Sequence, residues 1–136
     1  MRNNADIRLT PHFKLREFLH NGSHEGVTSE IVENLKELAQ SLEEVRTLLG
    51  DKPIKITSGF RSWKHHVEIY RDMGITDLDA IPQGSYHLTG RAADFIVIGM
   101  PSSEARKILD PIWHGGMERG TKHVHLDLGP NRRFYP

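Results

Sequence analysis

The 136-residue chain is the length of one domain with one core, 1–136, and its 37% apolar and 26% charged residues are the mix of an ordinary globular protein rather than a disordered one. Eighteen Lys and Arg balance eighteen Asp and Glu, so no net basic field points to nucleic acid or an anionic membrane. The lack of cysteine excludes disulfides, thiolate nucleophiles and cysteine-held zinc, leaving any metal to carboxylates and to the nine histidines.

The first stretch, MRNNADIRLTPHFKLREF, contains no continuous apolar run, so neither a secretory leader nor a membrane span is expected. Phe13, Leu15, Phe18 and Leu19 predict a short amphipathic helix within 10–20, broken at Asn21-Gly22-Ser23. The strongest helical signal covers 29–49. There Ile31, Val32, Leu35, Leu38, Ala39, Leu42, Val45, Leu48 and Leu49 recur at three-and-four spacing. Thr28 or Ser29 suits its N-cap, Glu30 and Glu33 its positive end, and Gly50 its stop. A strand is predicted over 54–58, then a second helix capped by Ser62, with Trp63, Val67, Tyr70 and Met73 on one face and Gly74 at its end. Residues 75–84 read as a loop and 91–98 as a buried strand. A third helix starts at Pro101-Ser102-Ser103-Glu104, with Ala105, Ile108, Leu109 and Ile112 inward. His114-Gly115-Gly116 reads as a turn and 122–128 as a last strand. Helices and short strands mix without regular βαβ alternation, so the expected fold is α+β, a small antiparallel sheet flanked by helices.

Two segments carry chemistry: Ser85-Tyr86-His87-Leu88-Thr89-Gly90-Arg91-Ala92-Ala93-Asp94 and Lys122-His123-Val124-His125-Leu126-Asp127-Leu128-Gly129. Strand alternation sends His123, His125 and Asp127 to one face and Val124, Leu126 and Leu128 to the other. That pattern describes a cleft lined above a core. His87 arrives from a loop and Asp94 from the next strand, with Gly90 permitting a turn between them. Taken singly, each group has an ordinary structural reading: His-x-His as a satisfied pair, His87 as a loop hydrogen bond, Asp94 as a cap or an arginine's partner. A catalytic metal site wants about three protein ligands and an open position, a need that two imidazoles and one carboxylate meet. Such a metal polarises a carbonyl and acidifies water.

Together the segments resemble the zinc D-Ala-D-Ala carboxypeptidase family, whose wider group includes vancomycin-resistance dipeptidases, phage L-alanyl-D-glutamate endolysins, murein endopeptidases and the hedgehog signalling domain. Ser85, His87, Gly90, Ala92 and Asp94 match its Ser-x-His and Gly-x-Ala-x-Asp pattern, and His123, His125 and Asp127 match its His-x-His-x-Asp. Ser58-Gly59-Phe60-Arg61 resembles its Ser-Gly-Tyr-Arg, and Phe13-Lys14-Leu15-Arg16-Glu17-Phe18 the start of its compact members. The resemblance implies a single zinc ion on His87, Asp94 and His125. It implies His123 beside the tetrahedral intermediate, Arg61 facing the substrate as an oxyanion or carboxylate partner, and Tyr86 flanking the substrate. Ser85 joins the substrate's surroundings or supports its loop, and Asp127 orients an imidazole.

One position departs from the pattern. Well-studied members carry Glu or Asp three residues before the last ligand, where this chain has Lys122. Lysine as a residue type is protonated at neutral pH and a poor base. The proton acceptor then falls to His123, or to Glu118 if it folds back from the Gly115-Gly116 turn. The implied activity is a zinc metallopeptidase, a carboxypeptidase or endopeptidase acting on peptidoglycan stem peptides and working at the cell wall in the periplasm, outside the cell or by phage delivery; the sequence leaves the oligomeric state open, with a monomer favoured. The alternative, supported by Lys122, is a non-catalytic zinc-bearing module of the same fold, used for cell-wall binding or as a phage component.

Overall fold

The computed structural model describes residues 7–135; residues 1–6, on which part of the leader reading falls, lie outside them. The long helix forms where its periodicity requires. In α1 (Ser29–Leu48) the Thr28 hydroxyl accepts from the Ile31 amide, and Ile31, Leu35, Leu38, Ala39, Leu42 and Val45 are buried. Leu48, expected inward, is 54% exposed, whereas Leu49 is buried as expected.

Ahead of α1 the predicted short helix does not form. Strands β1 (Arg8–Thr10) and β2 (Phe13–Lys14) make a two-stranded antiparallel ribbon, followed by 3-10 turns at Leu15–Phe18 and His20–Gly22. Pro11 explains the change, because a proline biases the residue before it toward extended backbone and cannot donate to a helix. Phe13, Leu15, Phe18 and Leu19 are buried nonetheless, so burial was legible where conformation was not.

The main sheet consists of β3 (Ile54–Ser58), β4 (Ala92–Val97), β5 (Gly116–Glu118), β6 (Val124–Asp127) and β7 (Arg132–Phe134), in the spatial order β3-β4-β6-β5-β7. All its pairs are antiparallel except β5 with β7, which run parallel. Gly116 therefore opens a strand rather than lying in a turn, and β7 was not expected. Three-residue strands contain too few alternations to be read from a pattern.

Helix α2 (Trp63–Asp72) starts from the Ser62 hydroxyl as expected but buries His66 and Val67. Trp63 and Met73 are exposed, not core. The inward place goes to His66 because its Nε2 donates to the Pro82 carbonyl at 2.7 Å, a bond that pays for burying the ring. Helix α3 (Ser102–Leu109) buries Ala105 and Leu109, while Ile108 and Ile112 stay exposed. On one face of the sheet, Ala93, Phe95, Met117, Val124 and Leu126 join α1 in the core. The opposite face is left for chemistry.

Candidate metal centre

Residues paired directly across a sheet project from the same face. Cross-strand register aligns Ser58 with Asp94, Asp94 with His125, His125 with Glu118, and Glu118 with Phe134. One row across five strands thus carries a serine, two candidate ligands, a carboxylate and an aromatic ring. The next row pairs Ala92 with Asp127, Asp127 with Gly116, and Gly116 with Arg132. His87 comes from outside the sheet, in the 3-10 turn Tyr86–Thr89. The Ser85 hydroxyl caps that turn by accepting from the His87 amide, and Gly90 closes it at φ 74°. The segment following β3 then fastens the turn: the Arg61 amide donates to the His87 carbonyl at 2.9 Å, and His87 Nδ1 donates to the Gly59 carbonyl at 2.7 Å.

That last bond fixes the tautomer, leaving His87 Nε2 to face Asp94 Oδ1 at 3.4 Å. His125 is oriented in the same manner. Its Nε2 donates to Asp127 Oδ2 at 2.9 Å, turning Nδ1 toward Asp94 Oδ1 at 2.8 Å. Candidate ligand atoms of His87, Asp94 and His125 all lie within 4.8 Å of one another, and all three residues are buried. A tetrahedral ion with bonds of about 2.0–2.1 Å separates its ligands by roughly 3.3 Å, so the donor set fits a metal after small adjustments. In each imidazole, one nitrogen is occupied by a carbonyl or carboxylate and the other faces the centre, the arrangement by which metal-binding histidines are oriented.

Electrostatics follow from this crowding. Burial would raise the Asp94 pKa, but hydrogen bonds and charges from His125 and His87 hold it well below the usual carboxylate range. Burial would lower the His125 pKa, yet its bonds to Asp127 and Asp94 raise it to about 9. Asp127 lies below its ordinary value because bonds from His125, Arg132 and the Gly129 amide outweigh burial. Burial lowers the Arg61 pKa and Asp94 partly restores it.

Above these groups opens a cleft of about 450 Å³, lined by Arg61, Ser85, Tyr86, His87, Asp94, Glu118, His123, His125 and Asp127. Every residue given a site role from the sequence is thus on its wall. Arg61 Nη2 reaches Asp94 Oδ2 at 3.4 Å while its Nε donates to Ser58. His123 Nε2 lies 3.6 Å from Asp94 Oδ1, and its side chain is 35% exposed. Glu118 reaches the cleft because the β5–β6 hairpin sets it opposite His125, a pairing that the seven-residue separation did not reveal. His114 lies away from the cleft, in a separate groove with Trp113 and Leu48. Tyr70, expected in the core, lines the cleft with Ile69, Met73, Arg132 and Phe134. The Arg132–Phe134 alternation was the sequence signal for the last two, too short to stand alone.

The chain matches the peptidase M15 family over residues 11–127. It is 33% identical over 101 residues to the peptidoglycan L,D-endopeptidase MepK of Escherichia coli (strain K12), covering 71% of this chain and 52% of that protein. It is 26% identical over 101 residues, with the same coverage, to a probable peptidoglycan L,D-endopeptidase MepK of Haemophilus influenzae. The chain spans about half the length of these relatives.

Proposed function

The chain belongs to the peptidase M15 family, and from that premise we propose that it hydrolyses peptide bonds in peptidoglycan stem peptides with one zinc ion on His87, Asp94 and His125. The observation that carries this reading is the convergence of those three ligand groups with Glu118, His123 and Arg61 in one cleft. Zinc suits a two-imidazole, one-carboxylate set, and it supplies Lewis acidity to a carbonyl oxygen and acidifies water. The relatives' names supply the substrate class, and endopeptidase action is the form they favour.

In this mechanism Glu118 takes the proton of the attacking water and passes it to the leaving amine. Its place opposite His125 supports that role, and it supplies the carboxylate absent at Lys122. His123 donates a hydrogen bond to the developing oxyanion, while Arg61, anchored by Ser58 and Asp94, balances negative charge on oxyanion or substrate. Tyr86 flanks the peptide, and Ser85 holds the turn that presents His87. The work site is the cell wall, and the active unit is a monomer. Among the described residues no helix is long and apolar enough to cross a membrane. The non-catalytic alternative drew its support from Lys122, and a carboxylate at Glu118 in the cleft favours the catalytic reading over it.

The test is incubation of the protein with purified peptidoglycan, zinc and then excess chelator, reading new amine termini and fragment masses. Zinc-dependent amines that vanish with chelator are expected. Glu118→Gln is expected to keep the metal and lose about 10²- to 10⁴-fold in turnover. Wild-type turnover in that variant would remove Glu118 as base, and bound zinc without new amines would return the non-catalytic reading.

A further inference from the structure

The family match ends at residue 127, yet the strongest support for the metal centre comes from beyond it. Arg132 donates from Nη1 to Asp127 Oδ1 and from Nη2 to Asp127 Oδ2, both at 2.9 Å, a two-pronged pair. Asp127, whose side chain is 1% exposed, also accepts from the amides of Gly116 at 3.2 Å and Gly129 at 3.0 Å. Its Oδ2 holds the His125 ring. The guanidinium itself sits 5.2 Å from the Tyr86 ring centroid and 4.9 Å from that of Phe134. Tyr86 precedes the ligand His87, and the Phe134 ring meets His125 edge-on at 5.6 Å. A side chain on Gly129 would meet the Tyr86 ring at 2.5 Å, so this packing is close enough to require glycine there.

We propose that Arg132 is a positioning residue for the metal centre: through Asp127 it locks the His125 ring, and through Tyr86 it ties β7 to the turn that carries His87. Asp127 alone accepts five hydrogen bonds, so a carboxylate that could swing is held at both oxygens and at a fixed tilt. Only a planar fork can do this, and lysine offers a single point charge. The inference rests on the assignment of His87, Asp94 and His125 as ligands, and its test separates the two.

Zinc affinity is measured by chelator competition for wild type, Arg132→Gln, Arg132→Lys, Asp127→Asn and the Arg132→Gln/Asp127→Asn double variant, with circular dichroism confirming the fold. Loss of an outer partner of a metal-binding histidine typically weakens binding about 10- to 100-fold, and Arg132→Gln is expected in that range, with Arg132→Lys recovering only part. In the Asp127→Asn background Arg132→Gln is expected to add less than about threefold, the share carried by its contact with Tyr86, because Arg132 acts mainly through Asp127. Unchanged affinity in Arg132→Gln overturns the proposal, as does an equal loss in both backgrounds, which is the mark of a general structural role. If Arg132→Gln fails to fold, Arg132→Lys carries the same comparison in both backgrounds. Failure of the wild type to bind zinc overturns instead the ligand assignment on which the proposal stands.

Discussion

At the scale of single residues, His125 is the most informative, because both its nitrogens face carboxylates. Its pKa is about 9, above the ordinary value near 6.5. In the metal-free protein the charged ring therefore contributes stability that is fully present below about pH 6.5 and is lost as pH rises through about 9. Metal binding runs the other way, since the ion must displace the proton on Nδ1. Zinc affinity is expected to rise about tenfold per pH unit below pH 9, while the stability of the metal-free protein falls over the same window. Chelator competition and urea unfolding at pH 6.5, 7.5 and 8.5 measure the two slopes. An affinity that does not change with pH would remove His125 Nδ1 from the ligand set.

At the scale of elements, the turn Tyr86–Thr89 depends on the residue that ends it. Gly90 lies at φ 74° and ψ 25°, a left-handed conformation costing a residue with a Cβ about 1–2 kcal/mol. A Cβ there also comes within 3.2 Å of the Leu35 side chain. Gly90→Ala is expected to lose about 1–2 kcal/mol in urea unfolding, and unfolding like wild type would mean that the turn relaxes freely. Helix α1 and strand β3 could be read in the sequence because each repeats its period several times and its ends carry caps or a proline. The candidate ligand groups, which the structure brings together, were legible as motifs whose spacing matched a known pattern. Other features escaped for physical reasons. The ribbon before α1 looked helical because Phe13, Leu15, Phe18 and Leu19 are buried in either conformation. His66 took a core place through one long-range bond to Pro82, which no local window contains. Glu118 entered the cleft through cross-strand register, and Arg132 through a return to the sheet after Asn131. Pairing between segments, rather than composition within them, placed both.

At the scale of the molecule, the proposed metal centre would add a further tie between parts of the chain already joined by the sheet and by the bonds of the His87 turn. Its candidate ligands come from the turn before β4, from β4 and from β6; Arg61 arrives from the end of β3, and Arg132 reaches back from β7. An ion bound only by the folded protein stabilises it by mass action, about 2.7 kcal/mol when free zinc is a hundred times its dissociation constant. For a chain of this length each kcal/mol moves the thermal midpoint by roughly 3–5 °C. Chelator should therefore lower the wild-type midpoint by about 10 °C relative to that zinc concentration, in one transition if the centre and the α1 core unfold together. His125→Ala should ignore chelator and begin below the chelated midpoint, because besides a ligand it loses the charged ring's pairs with Asp94 and Asp127. Differential scanning calorimetry distinguishes the outcomes. A wild-type midpoint indifferent to chelator would mean that ion binding is not linked to folding. Two separated transitions would mean that the sheet's chemical face opens independently of its core face, which the shared strands β4, β5 and β6 argue against.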